Sequence, residues 1–130
     1  IFGWGASTFP EMYKMSGGIQ STQHSHNMIL ELAYNYGIPI AFLLVGFVSF
    51  LLFKTIKTVY VKYSENEKTL INKCWLASSL VVTISHLSDI TYYDGKISIL
   101  IWILLSGLEC IIKEGKINFH NNHPFLQKSY

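Results

Sequence analysis

Two histidines and an asparagine, His24, His26 and Asn27, stand just ahead of a long apolar segment. An imidazole exchanges protons near neutral pH, so it can act as a general base or donate a hydrogen bond to a charged intermediate. Titratable side chains in or beside a membrane are costly to place and usually have a function. We therefore predict that the chemistry of this chain centres on this stretch, with His26 as the catalytic residue. The alternative is a structural His-Asn pair that caps a helix at the membrane surface.

A metal site is a second possible use of the two histidines. His24 and His26 are two positions apart, so their side chains diverge on a helix and share a side only on a strand. No cysteine or further histidine follows at the spacing of a zinc site. We therefore expect no metal and no cofactor, and we assign His24 to a supporting role.

Other polar residues are candidates for binding substrate or supporting the catalytic group. Asp89 and Asp94 fall in a short loop between two apolar blocks, where a solvated loop end is the simpler interpretation of each alone. His86 lies inside an apolar block and either bonds a neighbouring helix or lines a cavity. The complete set of substrate-binding or supporting candidates is His24, Asn27, Glu31, Asp89 and Asp94.

A short helix is predicted directly after the histidines, over about residues 26–36. Its apolar residues recur at helical spacing. Asn27 or Ser25 is suited to cap its start, and Gly37 followed by Pro39 is a typical stop signal. Near the end of the chain, Glu109 and Lys113 are four residues apart in the order that favours a helical ion pair.

The bulk composition indicates an integral membrane protein. Half of the 130 residues are hydrophobic, 14% are charged, and the apolar residues gather into three blocks. The formal net charge of +2 gives no reason to expect a nucleic-acid partner. We predict an all-α integral membrane fold, with three transmembrane helices preceded by a periplasmic loop that carries a short interfacial helix.

The lysines set the expected orientation, because cytoplasmic loops are enriched in basic residues. Five lysines lie between the first and second blocks and three more follow the third. The predicted segments are a periplasmic loop 1–37, a span 38–57, a cytoplasmic loop 58–73, a span 74–90, a periplasmic loop 91–96, a span 97–113 and a cytoplasmic tail 114–130. The expected location is the inner (plasma) membrane of a bacterium. We expect the chain to be the C-terminal part of a longer protein with further transmembrane helices upstream.

The chain resembles the C-terminal portion of the O-antigen ligase and polymerase family. Members typically show a Gly-x-Gly turn with a nearby Phe, then His-Asn or His-Ser, nine residues, and Gly-x-x-Gly. Gly3-Trp4-Gly5 and Phe9 match the turn, and His26-Asn27 is followed by Gly37-Ile38-Pro39. The run 89–94 before a Trp-containing last block is also similar to this family. Ile40 departs from the pattern, since a small residue is common there.

The resemblance implies glycosyl transfer at the periplasmic face of the membrane. The donor would be a glycan on undecaprenyl diphosphate, and the acceptor either the lipid A core, as in a ligase, or another glycan, as in a polymerase. His26 matches the position thought to activate the acceptor hydroxyl or assist the departing diphosphate. The arginines that such enzymes use on the diphosphate would lie upstream, because all ten basic residues here are lysines. The alternative from a different class of protein is a multi-span transporter in which His86 and Asp89 line a polar path.

Overall fold

The computed structural model describes residues 2–18, 24–62, 67–89 and 93–122, and all regular structure among them is helical. The predicted all-α fold is therefore confirmed. The elements are α1 (Phe9–Met15), α2 (Met28–Tyr36), α3 (Ile38–Lys57), a π-helical turn (Thr58–Lys62), α4 (Glu67–Ser85) and α5 (Gly95–Asn122).

Two helices are long and apolar enough to cross a membrane, over Ile38–Tyr60 and Gly95–Ile117. Their most apolar windows are only 17% and 28% buried within the protein, whereas the core helix of a soluble domain would be mostly buried. Large apolar side chains such as Phe42, Phe53 and Ile99 are exposed on their surfaces. This is the surface expected of helices that face lipid.

The third predicted span corresponds to α4, which does not reach the same apolar level. Hydroxyl and amide side chains interrupt its apolar residues, among them Asn72, Ser78, Ser79 and Thr83. Its 19 residues would extend about 28 Å at the usual helical rise. In length α4 therefore matches α3, which has 20 residues, and its composition sets it apart.

The helices α3, α4 and α5 pack into a three-helix bundle. Its core contains Leu51 from α3, Leu76 from α4, and Leu105, Leu108 and Ile112 from α5. Leu108 is completely buried. Leu44 near the start of α3 and Ile101 near the start of α5 line one cleft, and further along the Thr55 hydroxyl contacts the Leu108 carbonyl, so α3 and α5 run parallel. The end of α4, at Val82, reaches the same cleft, so α4 is antiparallel to both.

A close contact joins α4 to α5. The indole N–H of Trp75 donates a 3.0 Å hydrogen bond to the backbone carbonyl of Leu104. The ring lies so close to Gly107 that any Cβ at that position would collide with it. Small residues let helices approach closely in membranes, so Gly107 determines how near α4 comes to α5.

Candidate functional site at the end of the bundle

Asn27 fixes the start of α2 against the end of α4. Its side-chain oxygen accepts hydrogen bonds from the backbone N–H groups of Ile29 and Leu30, so Asn27 is confirmed as the N-cap. Its amide group donates a 2.9 Å bond to the carbonyl of Leu87. The N–H of Met28 also bonds the carbonyl of His86, at 3.0 Å. The predicted helix and the loop after α4 are therefore held together by two hydrogen bonds.

His26 lies just outside α2 and not in its first turn. The cap residue Asn27 has an extended backbone (φ −145°, ψ 118°), so the helix begins at Met28 and not at the predicted position 26. His26 itself adopts a left-handed conformation with φ +53°. That conformation costs a non-glycine residue about 1–2 kcal/mol, and such strain is concentrated at functional sites.

His24, His26 and Asp89 form what we call the histidine cluster. The Nδ1 atom of His26 is 3.5 Å from a carboxylate oxygen of Asp89. The ring centres of the two histidines are 4.8 Å apart. The side chains of His26 and Asp89 are 62% and 61% exposed, so a substrate can reach this imidazole directly. The structure thus brings together three candidates that the sequence separates by up to 65 positions.

A second group of polar side chains, the Glu31 network, lies directly behind the histidine cluster. It consists of Glu31, Asn35 and Tyr93. One Glu31 oxygen accepts hydrogen bonds from the Tyr93 hydroxyl (2.9 Å) and the Asn35 amide (3.0 Å). The other accepts one from the backbone N–H of Ser25, at 3.0 Å. Because Ser25 lies between the two histidines, the buried Glu31 carboxylate anchors the loop that carries both of them.

The charge states of this network follow from its contacts. Burial alone would raise the pKa of Glu31, but hydrogen bonds from Ser25, Tyr93 and Asn35 outweigh it, so the pKa of this carboxyl is lowered. Partial burial, the hydrogen bond to Glu31 and the charge of Glu31 raise the pKa of Tyr93 to about 12. At neutral pH Glu31 is therefore ionised and accepts, while Tyr93 is neutral and donates.

The Gly-x-Gly turn near the start of the chain packs against the end of α2. The N–H groups of Trp4 and Gly5 donate to the carbonyls of Tyr34 (2.8 Å) and Asn35 (3.1 Å). These carbonyls belong to the last turn of α2 and lack helical partners. A Cβ at Gly3 would collide with the carbonyl of Asn35, which explains the glycine there. The turn thus supports the helix that carries the Glu31 network.

The remaining candidates lie outside these two groups. Asp94 accepts a 2.8 Å hydrogen bond from the backbone N–H of Lys96, at the start of α5. Asp94 therefore caps the start of α5 and does not belong to the histidine cluster. His86, the residue directly after α4, is buried, and its Nδ1 lies 2.7 Å from the carbonyl of Val82 in the last turn of α4.

An apolar cleft of about 310 Å³ opens beside the first turn of α2. All four helices from α2 to α5 contribute to its walls, with Met28 and His86 at the end nearest the histidine cluster. Within the described part of the chain its lining includes no carboxylate and no lysine. The cleft is therefore suited to hydrocarbon and not to ions.

Comparison with models of known protein families, with curated proteins and with solved structures finds no match to this chain. The likeness to the O-antigen ligase and polymerase family thus depends on the motif residues themselves.

Sequence reasoning missed two members of the site, Asn35 and Tyr93. Asn35 lies four residues after Glu31, the spacing at which helical side chains meet, and that spacing was the available signal. Tyr93 is 62 positions from Glu31. No local pattern connects residues so far apart, and a tyrosine beside a span is equally typical of an aromatic belt.

Proposed function

We propose that this chain is the C-terminal portion of a bacterial membrane glycosyltransferase of the O-antigen ligase type. It would transfer a glycan from undecaprenyl diphosphate to the lipid A core. The observation that carries the proposal is the pairing of His26 with Asp89, 3.5 Å apart and open to solvent. A carboxylate beside an imidazole orients the ring and stabilises its protonated form, as in other general bases.

In the proposed reaction His26 takes the proton of the acceptor hydroxyl. The acceptor oxygen then bonds to the anomeric carbon of the glycan. The bond between that carbon and the diphosphate oxygen breaks, and undecaprenyl diphosphate leaves with the electron pair. The proton on His26 would be stabilised by the charge of Asp89. The diphosphate needs cationic partners, which we assign to arginines in outward-facing loops of the same protein upstream of this chain.

We place the site at the periplasmic face, with α4 as a third span. The hydroxyls of Ser78, Ser79 and Thr83 each bond the carbonyl four residues back, which lowers the cost of placing them in lipid. Lysines at the opposite end of the bundle, including Lys54 and Lys57, favour a cytoplasmic location for that end. The apolar cleft next to the histidine cluster offers the surface that a lipid-linked donor requires.

Variants of the full-length protein test this proposal in cells that lack the native copy. We expect His26→Ala to abolish attachment of glycan to the lipid A core and His24→Ala to have a milder effect. Thr55→Val, a change inside the bundle, is the matched control and should transfer normally. Labelling of a cysteine placed at Ser88 from the periplasmic side would verify insertion and orientation in each variant.

The outcomes separate the competing functions. If His26→Ala blocks growth of the glycan chain while attachment of a single unit persists, the protein is a polymerase, which differs in its acceptor. If glycan is normal in correctly inserted His26→Ala protein, His26 has no catalytic role. Labelling of Ser88→Cys from the cytoplasmic side alone would contradict the proposed orientation.

A further inference from the structure

We propose that His24, His26 and Asp89 bind a divalent transition-metal ion such as Zn²⁺, and that the bound ion blocks the proposed role of His26. One potential ligand atom from each residue lies within 4.8 Å of the other two. Imidazole nitrogen and carboxylate oxygen are both zinc ligands. The spacing in the sequence does not predict this site, because the third ligand, Asp89, comes from the loop after α4.

The geometry of the cluster is near that of a metal site. Two ligand atoms on a tetrahedral zinc ion, each bonded at about 2.0–2.2 Å, lie roughly 3.4 Å apart. The Nδ1 of His26 and the carboxylate oxygen of Asp89 are already 3.5 Å apart. The widest separation in the cluster is 4.8 Å. Rotation of exposed side chains can close that difference without moving the backbone.

The segments that carry the ligands are held in place before any metal binds. The backbone N–H between the two histidines, that of Ser25, bonds the Glu31 carboxylate. The Ser25 hydroxyl donates to the Asn27 carbonyl, and the Asn27 amide bonds Leu87, two residues before Asp89. Hydrogen bonds of this kind orient metal ligands, and losing one typically lowers metal affinity 10- to 100-fold. The Glu31 network would thus act as the outer shell of the metal site.

Metal binding and proton transfer exclude each other at His26. When one imidazole nitrogen coordinates a metal, the other carries the hydrogen and can no longer accept a proton. Three protein ligands leave the fourth zinc position to water. Zn²⁺ at this site would therefore be an inhibitor of the proposed transfer and not its cofactor.

Zinc titration of the full-length protein in detergent tests the binding. We expect the wild-type protein to bind one Zn²⁺ per chain at this site, measured by competition with a chromophoric chelator. His24→Ala and Asp89→Asn should each weaken that binding by at least about 10- to 100-fold, the effect of losing even an outer-shell partner. Asp94→Asn is the matched control, because Asp94 lies outside the cluster, and it should bind Zn²⁺ as the wild type does.

Equal zinc affinity in the wild type, His24→Ala and Asp89→Asn would overturn the metal site. A wild-type protein that shows no saturable zinc binding would also overturn it. The same would follow if Asp94→Asn lost as much zinc affinity as His24→Ala and Asp89→Asn. Glu31→Gln should weaken zinc binding less than removal of a ligand, and a larger loss would contradict the assignment of Glu31 to the outer shell.

An activity measurement distinguishes this proposal from the proposed function on which its inhibitory part rests. Zn²⁺ should reduce glycan transfer by the wild type, and a chelator should restore it. Transfer that is unaffected by saturating Zn²⁺ would overturn the inhibitory role while the binding result stands. If no glycan transfer is detected under any condition, the function proposal fails, and the zinc titration still decides whether the site exists.

Discussion

Three hydroxyl side chains of α4 and the Glu31 carboxylate find their hydrogen-bond partners at very different distances along the chain. In α4, the hydroxyls of Ser78, Ser79 and Thr83 donate to carbonyls four residues back in the same helix. Behind the histidine cluster, the Glu31 carboxylate instead binds groups up to 62 positions away. A hydroxyl bonded within its own helix only lowers the cost of burial. A buried charge with distant partners specifies one arrangement of several segments, which is what a site requires.

Removing the buried carboxylate should have the largest effect on stability. In Glu31→Ala the Ser25 N–H, the Tyr93 hydroxyl and the Asn35 amide all lose their acceptor. The Asn35 amide is buried, and an unsatisfied buried group costs about 1–3 kcal/mol, whereas Tyr93 is exposed and can bond water. Because the anchor of the Ser25 loop is lost as well, we expect a loss of about 3 kcal/mol in the free energy of unfolding. Denaturant titration in detergent measures it, and hydrogen exchange should show the loss concentrated in residues 24–36.

Thr55→Val is the matched change in the bundle, and it should cost less than about 1 kcal/mol because valine keeps the shape. Equal losses in Glu31→Ala and Thr55→Val would remove the distinction between the two regions.

The cap of α2 should have the next largest effect. Asn27→Ala removes the acceptor for Ile29 and Leu30 and the bond to Leu87. We expect a loss of about 1–2 kcal/mol in the free energy of unfolding, as for other helix caps. Ser78→Ala, which removes an exposed hydroxyl bonded within α4, should change it by less than about 0.5 kcal/mol. If Asn27→Ala left the free energy of unfolding unchanged, the contact between α2 and the end of α4 would contribute nothing to stability.

The pH dependence gives the smallest expected effect, because protonation leaves the side chains in place. The pKa of Glu31 is lowered from 4.5, so its contribution to stability is fully present above pH 4.5 and is lost as the pH falls through the lowered value. The pKa of Tyr93 is raised from 10.0 to about 12, so its contribution is present below pH 10 and is lost between pH 10 and about 12.

Hydrogen exchange of residues 24–36 as a function of pH measures this effect. In Glu31→Gln, protection of these residues from hydrogen exchange should no longer fall at acidic pH. A Glu31→Gln protein that keeps the same acid transition would show that another group is responsible.

The sequence predicted the local features of this fold well. The bounds of α2, the cap Asn27 and the stop at Gly37 follow from spacing and residue type, and the structure confirms them to within two residues. The pair Glu109 and Lys113 is confirmed too, at 2.9 Å. These features depend on residues at most four positions apart, so local rules are sufficient.

The helix bounds and the distant contacts were harder to predict. Predicted spans follow apolar composition, whereas α4 already begins at Glu67 and α5 extends to Asn122, because polar residues also continue a helix. The pairing of His26 with Asp89, and of Glu31 with Tyr93, depends on how α2 packs against the ends of α4 and α5. That packing is a property of the folded bundle and leaves no periodic signal in the sequence.

The central claim is that His26 performs the proton transfer while the bundle only supports it. The most direct test is the initial rate of glycan transfer by purified full-length protein in detergent, with a labelled lipid-linked donor. We expect His26→Ala to slow transfer by about 10²- to 10⁴-fold, the usual contribution of a general base, and added imidazole to restore part of the rate. Thr55→Val should transfer at the wild-type rate. A His26→Ala protein that transfers glycan as fast as the wild type would contradict the account.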